Sequence, residues 1–580
     1  MTAARIEDSK KRAPLRLWPG VVLALLLFGL KFLLPAVAPH ATLFSLLGSL
    51  ICGLLIVIWW IFFSRAPWSE RLGVVALMVI GIIGTRPLLH ESINTAGMGL
   101  MFPIVAIPIV SLALVAWAVA ARGLSGRPRW VALIGALVVA CGGWTLLRTD
   151  GITNDGRSDF AWRWTRTAEE RLLAEAGDET LADSLVAMEP AAQAEWPGFR
   201  GPYRKGVVHG VQIETDWSVS PPAEIWRRPV GPGWSSFAVQ GDLFYTQEQR
   251  GDYEVVACYQ ASTGEPIWQH RDLTRFWESN AGAGPRATPT VSDGRVYASG
   301  ATGMLNVLDA RDGTVIWARN AAADLGTEVP TWGFSGSPVV VGDVVVTALQ
   351  GVLVAYDLAT GEPQWSGSNG GDGYSSPHLA TIEGVEQVLL ASLENVVSIS
   401  PDDGTELWLH EWKGGTRIVQ PALVGPSDLL VSQGGTTGIR RVAVDHGPGG
   451  WTTEERWTSN RLKPYFSDFV VHEGNVYGFD GNILASIELE AGERNWKGGR
   501  YGSGQLVLLA EQDLLLVISE KGELALVSAT PDQFTELARF PALEGKTWNH
   551  PVVVGSLLLV RNSEEMVAYR LSPVSTSEPS

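Results

Sequence analysis

The chain has 580 residues, and a domain usually holds roughly 100–200, so a single compact core is excluded. A mean hydropathy of +0.11 excludes a disordered chain, while 18% charged residues excludes a chain embedded in a membrane throughout. Residues 1–150 carry 13 Lys and Arg against 5 Asp and Glu within a chain of net charge −17, so the remainder is acidic, which excludes nucleic-acid binding there.

Five apolar segments occupy the N-terminal quarter of the chain. They cover residues about 17–38, 43–63, 72–90, 98–120 and 130–147, each close to the roughly 20 residues that a helix needs to cross a bilayer. The first segment leads directly into the second without the cleavage site of a signal peptide, so the sequence predicts a retained five-helix transmembrane domain over residues 17–147. No Asp or Glu lies in the middle of a segment, which favours an anchor over an ion path.

Basic residues predict the orientation of this bundle. They are concentrated in the tail formed by residues 1–16 and in the loops after the second and fourth segments, at Lys10, Lys11, Arg12, Arg16, Arg65, Arg71, Arg122, Arg127 and Arg129. The positive-inside rule therefore predicts a cytoplasmic tail, and five crossings place the rest of the chain outside. We expect a multi-pass protein of the bacterial inner membrane with a periplasmic C-terminal part. The third segment is the shortest uninterrupted run, since Arg86 and Pro87 follow it.

Residues 148–195 form a polar connector, which we predict to be a helical stalk. Thr167 and Glu170 have the spacing of a capping box, in which the two side chains cap the first turn of a helix. The last residues, 573–580, are predicted to be a disordered tail. The three cysteines, Cys52, Cys141 and Cys258, have neither a disulfide framework nor a metal-ligand spacing.

Tryptophan recurs through residues 196–572 at intervals of between 39 and 49 residues, usually as the last residue of a Gly-x-x-x-Trp motif. The recurring residues are Trp226, Trp268, Trp317, Trp365, Trp408, Trp457 and Trp496. This period is the length of a four-stranded propeller blade, and the alternating apolar runs joined by Gly and Asp turns are typical of antiparallel strands. The sequence therefore predicts an all-β propeller after the membrane helices.

A second landmark sets the number of blades. Eight short apolar strands each follow a pair of small or polar residues, and the residue just before the strand is Ser236, Thr288, Ser337, Ser376, Gln420, Asp468, Gln505 or His550. The last of these periods lacks a Trp strand, whereas the strand around Trp226 has no blade before it. We therefore predict an eight-bladed ring of four-stranded blades in which the Trp226 strand completes the last blade and removes two exposed sheet edges.

The segments Leu308–Trp317 and Tyr356–Trp365 resemble the tryptophan-docking repeat of quinoprotein dehydrogenases and of the outer-membrane assembly lipoprotein BamB. The segment Trp196–Pro202 is similar to the opening of PQQ-binding-like β-propeller repeat proteins. The resemblance implies an eight-bladed fold in which each docking Trp packs between adjacent blades. The resemblance is specific for the fold and weak for the activity, because the docking Trp is structural and one propeller architecture carries unrelated activities. An anchor of five spans before a periplasmic propeller also resembles membrane-bound glucose dehydrogenase.

The start of each innermost strand faces the central channel in such a ring, so the residues there are candidate ligand contacts. For the tricarboxylate cofactor PQQ, which the resemblance implies together with Ca²⁺, cations and a flat aromatic surface are needed. The candidates are the cations Arg286, Arg417 and Lys463, the aromatic residues Trp234 and Trp548, and the channel-lining polar residues Gln420, Gln505 and His550.

Acidic residues are scarce in this channel. Asp468 is the candidate metal ligand and the candidate catalytic base, and Glu328 is the second candidate for the base. Each residue also has a structural interpretation, in which the cations pair with Glu328, Asp372 and Asp468, the tryptophans are packing residues, and His550 is a hydrogen-bonded strand residue.

Two functions remain open from the sequence. The first is a membrane-anchored binding or assembly module of the cell envelope, which would bind a periplasmic protein or a small anionic ligand and no nucleic acid. The second is a PQQ-dependent quinoprotein dehydrogenase that oxidises a small alcohol or sugar and passes electrons to a membrane quinone. A receptor for cell-wall glycans is a third hypothesis.

Overall fold

The computed structural model describes residues 15–38, 41–153, 156–175, 193–367 and 370–574. It divides into two compact units, the first comprising Met1–Thr165 with Glu278–Ala281 and the second comprising Arg166–Trp277 with Gly282–Ser580. Most of the predicted cytoplasmic tail, part of the predicted stalk and most of the predicted disordered tail lie outside the described residues.

The first unit contains five helices that are long and apolar enough to cross a membrane. They are Trp18–Val37, Thr42–Phe63, Trp68–Leu88, Met101–Gly123 and Arg127–Leu146. The first includes a π-helical turn at Gly29–Leu33, and the third ends in a 3₁₀ turn at Arg86–Leu88. The five apolar segments in the sequence are therefore five helices, and the third begins at Trp68, earlier than predicted.

An ion pair joins two of these helices near their first turns. Arg129 Nε donates to Glu70 Oε1 at 2.8 Å, and Arg129 is buried while Glu70 is half-buried. Arg129 Nη1 also donates to the Ala121 carbonyl at 2.7 Å, and its guanidinium lies 4.6 Å from the ring of Trp117. This cluster fastens the ends of the third, fourth and fifth helices, where the sequence placed the cytoplasmic side.

The connector is only partly helical. The strands Leu147–Ile152 and Ser158–Trp162 pair as an antiparallel hairpin, where the sequence predicted a stalk of helices. Gly151 at φ 130° and Gly156 at φ 79° supply backbone conformations that a helix does not contain. The helix Ala168–Glu175 is present as predicted, and the Thr167 and Glu170 side chains cap it reciprocally at 3.0 and 2.8 Å.

The second unit is a propeller of eight four-stranded antiparallel blades. Blades 1 to 4 are formed by Ala238–Gln240, Leu243–Arg250, Tyr253–Gln260 and Pro266–Asp272; Thr290–Ser292, Arg295–Ser299, Met304–Asp309 and Val315–Asn320; Val339–Val341, Val344–Leu349, Val352–Asp357 and Pro363–Gly367; His378–Ile382, Val385–Ala391, Asn395–Ile399 and Glu406–Glu411. Blades 5 to 8 are formed by Ala422–Val424, Asp428–Gln433, Gly438–Gly447 and Gly450–Ser459; Val470–His472, Asn475–Asp480, Ile483–Glu488 and Arg494–Arg500; Gln505–Leu509, Leu514–Ile518, Glu523–Ser528 and Glu536–Pro541; Val552–Val554, Leu557–Arg561, Glu565–Arg570 and Ala223–Pro229.

The ring closes through the last blade, as the sequence predicted. Strand Ala223–Pro229 pairs antiparallel with Glu565–Arg570, and Trp226 lies opposite Ala568. The first and last strands of the propeller sequence therefore belong to one sheet. This pairing closes the ring and removes the exposed sheet edge that each of the two strands would otherwise have.

Most of the docking tryptophans form a hydrogen bond to the next blade. Six of the seven donate their indole N–H to a main-chain carbonyl of the following blade, the pairs being Trp226 with Ala261, Trp268 with Ala310, Trp317 with Leu358, Trp365 with Pro401, Trp457 with Leu489 and Trp496 with Thr530. Trp408 instead donates to Gln387 Oε1 in its own blade at 2.7 Å, because blade 5 has a long hairpin in place of the Gly-x-x-x-Trp turn.

The tryptophan of the preceding blade explains why the motif requires a glycine. Gly313 has a φ of 73°, and a Cβ atom built there would lie 2.5 Å from Cε3 of Trp268. The position therefore needs both a left-handed backbone and the absence of a side chain. The regular spacing of the Gly-x-x-x-Trp motif therefore reflects a contact between neighbouring blades as well as the order of the strands.

We expect Gly313→Ala to lower the free energy of unfolding by about 2 kcal/mol, since strain in the left-handed region adds to displacement of an indole. The matched control is Gly342→Ala, because Gly342 has a φ of 52° and no atom within 4 Å of a built Cβ. It is expected to lose only about 1 kcal/mol. Chemical denaturation of both variants measures the difference, and equal losses would show that the indole contact contributes nothing.

Candidate functional site: the hub of the propeller

Eight residues occupy equivalent positions where the innermost strands begin, and we call them the ring residues. All of them are buried, and they are the predicted set Ser236, Thr288, Ser337, Ser376, Gln420, Asp468, Gln505 and His550. The structure therefore places the predicted channel residues together, and their polar groups bond mainly to the protein itself.

Hydrogen bonds connect the ring residues of neighbouring blades. The Ser236 N–H donates to Thr288 Oγ1 at 3.0 Å, and the Thr288 N–H donates to Ser337 Oγ at 2.9 Å. The Ser337 N–H donates to Ser376 Oγ at 3.0 Å. Ser236 Oγ donates to the His550 carbonyl at 2.7 Å, which joins the first blade to the last. The hydroxyl groups predicted to meet a ligand thus stabilise the contact between blades.

Asp468 is enclosed by two partners. Its Oδ2 lies 2.8 Å from His550 Nε2, and its Oδ1 lies 3.3 Å from Arg200 Nη1. Burial alone would raise the pKa of Asp468, but the charge of Arg200 and the hydrogen bond from His550 outweigh it and lower that pKa below its ordinary value. The group is therefore a buried carboxylate that is already paired.

Residues 196–208, which precede the strand Ala223–Pro229, cross the hub, and we call them the plug. It bonds along the innermost strands, with Trp196 paired to Val239 and strand Val207–Val208 parallel to Gln505–Leu509. It also reaches the axis with two arginines, Arg200 and Arg204, which are 2% and 8% exposed. This role was not predicted from the sequence, although the three cations Arg200, Arg204 and Lys205 between Gly198 and Gly206 were a signal of a tight, charged loop.

Arg204 binds the ring at blades 3 and 4. Its guanidinium donates to the carbonyls of Ser337 at 3.1 Å and Pro377 at 2.8 Å, and also to that of Pro338. Burial lowers the pKa of Arg204 to about 9, because no carboxylate compensates its charge there. The Arg204 carbonyl accepts from Gln420 Nε2 at 2.7 Å, so the plug is bonded in both directions.

The plug contacts every blade. Besides the bonds above, the Pro197 carbonyl accepts from the Val291 N–H at 2.8 Å, and Arg200 Nη2 donates to the Phe469 carbonyl. The ring of Phe199 lies 5.0 Å from that of His550. At the level of the ring residues, the axis of the propeller is therefore filled by the chain's own side chains. A ligand can approach the ring residues from the end where the innermost strands begin.

That open end, which we call the mouth, is rich in half-buried aromatic side chains. Its members are Trp234, Trp332, Tyr374, Tyr465, Phe466 and Trp548. The Trp234 and Trp548 rings lie 4.8 Å apart, the Phe466 and Trp548 rings 4.9 Å, and the Tyr465 and Phe466 rings 5.6 Å. The Lys546 ammonium lies 4.5 Å from the Trp548 ring. The mouth thus combines a cation with a row of four contacting rings, which we call the aromatic arc: Trp234, Trp548, Phe466 and Tyr465.

The cations predicted for PQQ are engaged elsewhere. Arg286 donates to the carbonyls of Gly282 at 2.9 Å and Gly284 at 2.8 Å. Lys463 pairs with Asp480, to which Lys497 Nζ is also bound at 2.5 Å. Both side chains are consequently bonded within the protein, and Lys463 pairs with Asp480 rather than with Glu328, Asp372 or Asp468.

Arg417 is fully buried against an aromatic ring. Its guanidinium lies 4.6 Å from the ring of Trp412 and donates to the Trp412 carbonyl, while its Nε and Nη1 have no hydrogen-bond partner among the described residues. Burial and the nearby charge of Arg440 lower the pKa of Arg417 to about 10. Because none of its surface is exposed, this guanidinium does not reach a ligand at the mouth.

A calcium site also lacks its ligands at the hub. Glu328 and Asp372 are exposed in loops, and Asp468 is already paired. Within the described parts of the chain, three ligand-type side chains approach within 4.8 Å of one another at His472, Glu473 and Asp513, which lie on surface turns of blades 6 and 7. The residues present therefore do not fit PQQ with Ca²⁺.

Comparison with known proteins decides the family. The model of the family described as outer membrane protein assembly factor BamB matches residues 217–375 and 322–534, which together span more than half of the chain. The chain belongs to the BamB family. The matched residues begin after the plug and include most of the ring residues.

The similar proteins include both BamB proteins and quinohemoprotein alcohol dehydrogenases. BamB of Yersinia pestis is 27% identical over 333 residues, which are 55% of this chain and 72% of that protein. Quinohemoprotein alcohol dehydrogenase of Comamonas testosteroni is 35% identical over 105 residues, but the match spans only 14% of its length. The crystal structure of that enzyme shares the fold, with a TM-score of 0.50 at 13% identity, over 71% of this chain and 86% of the enzyme.

Proposed function

We propose that this BamB-family protein is a binding or assembly module of the bacterial cell envelope, anchored by its five apolar helices. Its propeller binds a protein segment at the mouth. The observation that carries this proposal is the contrast within the hub: Arg200 and Arg204 fill the axis, while the aromatic arc at the mouth remains half-exposed. Aromatic side chains supply much of the binding energy at protein interfaces.

Protein is favoured as the ligand by the chemistry of the mouth. The rings of the arc pack at tilted angles against each other, so they offer edges and apolar pockets rather than one flat face. The Lys546 ammonium lies against two of these rings and adds a positive charge that complements an acidic or carboxyl-bearing segment. A small anionic ligand would use the same cation without filling the arc.

The second candidate, a PQQ-dependent dehydrogenase, is favoured by the match to the quinohemoprotein alcohol dehydrogenase. It would require Arg286 and Lys463 to leave the partners described above. It would also require acidic ligands for Ca²⁺, whereas Asp468 is paired with Arg200 and Glu520 accepts a hydrogen bond from the Trp548 indole. We therefore rank it second.

Addition of PQQ and Ca²⁺ to the purified full chain is expected to leave the thermal unfolding midpoint unchanged, with no dye reduction by alcohols or aldoses. A bound cofactor at a hundredfold excess over its Kd would stabilise the folded state by about 2.7 kcal/mol, which such a measurement detects. A shift that Arg286→Ala abolishes, accompanied by turnover, would establish the dehydrogenase instead.

For the location, we propose the inner membrane, with the N-terminus in the cytoplasm and the propeller in the periplasm. The basic residues near the first turns of the third and fifth helices, including the paired Arg129, support this orientation. Alkaline phosphatase fused after residue 150 is therefore expected to be active, since it folds only outside the cytoplasm. The same enzyme fused after Arg65 serves as the inactive control, and the reverse pattern would place the propeller in the cytoplasm.

A further inference from the structure

The hairpin that follows the fifth helix is fixed to the ends of the helices in the first unit. Arg163 Nη1 donates to the Thr145 carbonyl at 3.1 Å and to the Leu88 carbonyl at 3.4 Å, at the ends of the fifth and third helices. The Thr149 N–H donates to Ser92 Oγ at 2.9 Å. The hairpin therefore lies at the end of the bundle where the apolar helices stop.

Large aromatic side chains protrude from this hairpin. The rings of Trp162 and Trp164 stack with centroids 5.1 Å apart and planes 9° apart, and the two residues are 50% and 67% exposed. Phe160 is 39% exposed, and one edge of its ring packs against Trp144 at 5.6 Å. So much apolar surface beside the last turn of a membrane helix is costly in water.

We infer that the hairpin lies in the headgroup region of the bilayer on the side where the fifth helix ends, with Trp162 and Trp164 as its membrane anchors. Tryptophan is enriched at that depth because its ring is apolar while its N–H still forms hydrogen bonds. Arg163 lies between Trp162 and Trp164 in the sequence and is exposed. Its positive charge can pair with lipid phosphates. A lipid surface is favoured over a protein partner because the hairpin continues directly from an apolar helix, with Leu147 following its last residue.

The test places the photo-crosslinker p-benzoylphenylalanine at one position of the full chain in vesicles of phosphatidylethanolamine and phosphatidylglycerol. Trp164 is the test position. Val139, 77% exposed on the fifth helix, is the positive control, and Trp451, stacked on His446 in blade 5, is the matched tryptophan control. We expect lipid adducts at positions 164 and 139, and none at position 451.

A lipid adduct at position 139 with only protein adducts, or none, at position 164 would overturn the interfacial location and leave the five-helix anchor intact. Absence of lipid adducts at both positions would overturn the anchor itself, on which this inference rests. A second measurement does not depend on the crosslinker: quenching of tryptophan fluorescence by lipids brominated near the headgroup is expected to fall in the variant Trp162→Ala with Trp164→Ala. Unchanged quenching would also contradict the inference.

Discussion

Replacement of Arg200 by alanine is expected to lower the free energy of unfolding by about 3–5 kcal/mol, the cost of leaving a buried charge without its partner. The variant would keep the Asp468 carboxylate buried with His550 as its remaining partner, and the Phe469 carbonyl would lose its guanidinium donor. Chemical denaturation of the full chain in detergent measures this loss.

Two controls separate the buried pair from a general effect of losing an arginine. Arg227→Ala removes an exposed arginine that pairs with Glu224 and Glu565, and it is expected to cost about 1 kcal/mol or less. Adding Asp468→Asn to Arg200→Ala should recover part of the loss, because a neutral amide is less costly to bury than a carboxylate. Equal losses of unfolding free energy in Arg200→Ala and Arg227→Ala would show that the buried pair of Arg200 with Asp468 does not stabilise the hub.

The same pair predicts a pH dependence. The pKa of Asp468 is lower in the folded protein than in the unfolded chain, so its contribution to stability is present above the unfolded pKa of about 3.9 and is lost as the pH falls through the folded value. Arg200→Ala should therefore lose less stability than the original protein on acidification below about pH 4.

Replacement of Phe466 by alanine is expected to weaken partner binding at the mouth by about 30-fold, which corresponds to about 2 kcal/mol for a central aromatic contact. Phe466 lies in the middle of the aromatic arc, between Tyr465 and Trp548, and its side chain carries no hydrogen bond that the fold would lose. The readout is the yield of the protein adduct formed in intact cells by p-benzoylphenylalanine at Tyr374, with the partner identified by mass spectrometry.

Leu537→Ala is the matched control, since Leu537 is an apolar residue, 46% exposed, on the outer strand of blade 7 and away from the mouth. The adduct should persist in this variant. The thermal unfolding midpoint of Phe466→Ala is measured in parallel. An undiminished adduct in Phe466→Ala would show that the partner binds elsewhere on the propeller.

The architecture was predictable because it depends on patterns that recur along the chain. Trp226 without a blade before it and a last blade without a tryptophan imply ring closure, and the pairing of Trp226 with Ala568 confirms it. The periodic Gly-x-x-x-Trp motif is equally local, since Gly313 and Trp317 stand on one turn and strand. Gly313 lies directly against Trp268 of the preceding blade, and this contact explains why the glycine recurs at a fixed distance before each tryptophan.

The chemistry of the hub was less predictable, because it depends on pairs that are distant in the sequence. Arg200 and the Phe469 carbonyl are 269 residues apart, and no periodicity connects a unique loop to a repeated blade. Lys463 was predicted to face the channel, but it pairs with Asp480 on the second strand of its own blade. The sequence identified which residues lie near the axis, while their partners required the three-dimensional arrangement.

The most direct test of a filled hub with an aromatic mouth is an electron cryomicroscopy structure of the full chain in lipid nanodiscs with PQQ and Ca²⁺ added. We expect density for Arg200 beside Asp468 and for Arg204 on the Ser337 and Pro377 carbonyls, with no cofactor at the axis. Density for PQQ in the hub, with Ca²⁺ bound by Asp468 and the arginines displaced, would contradict it.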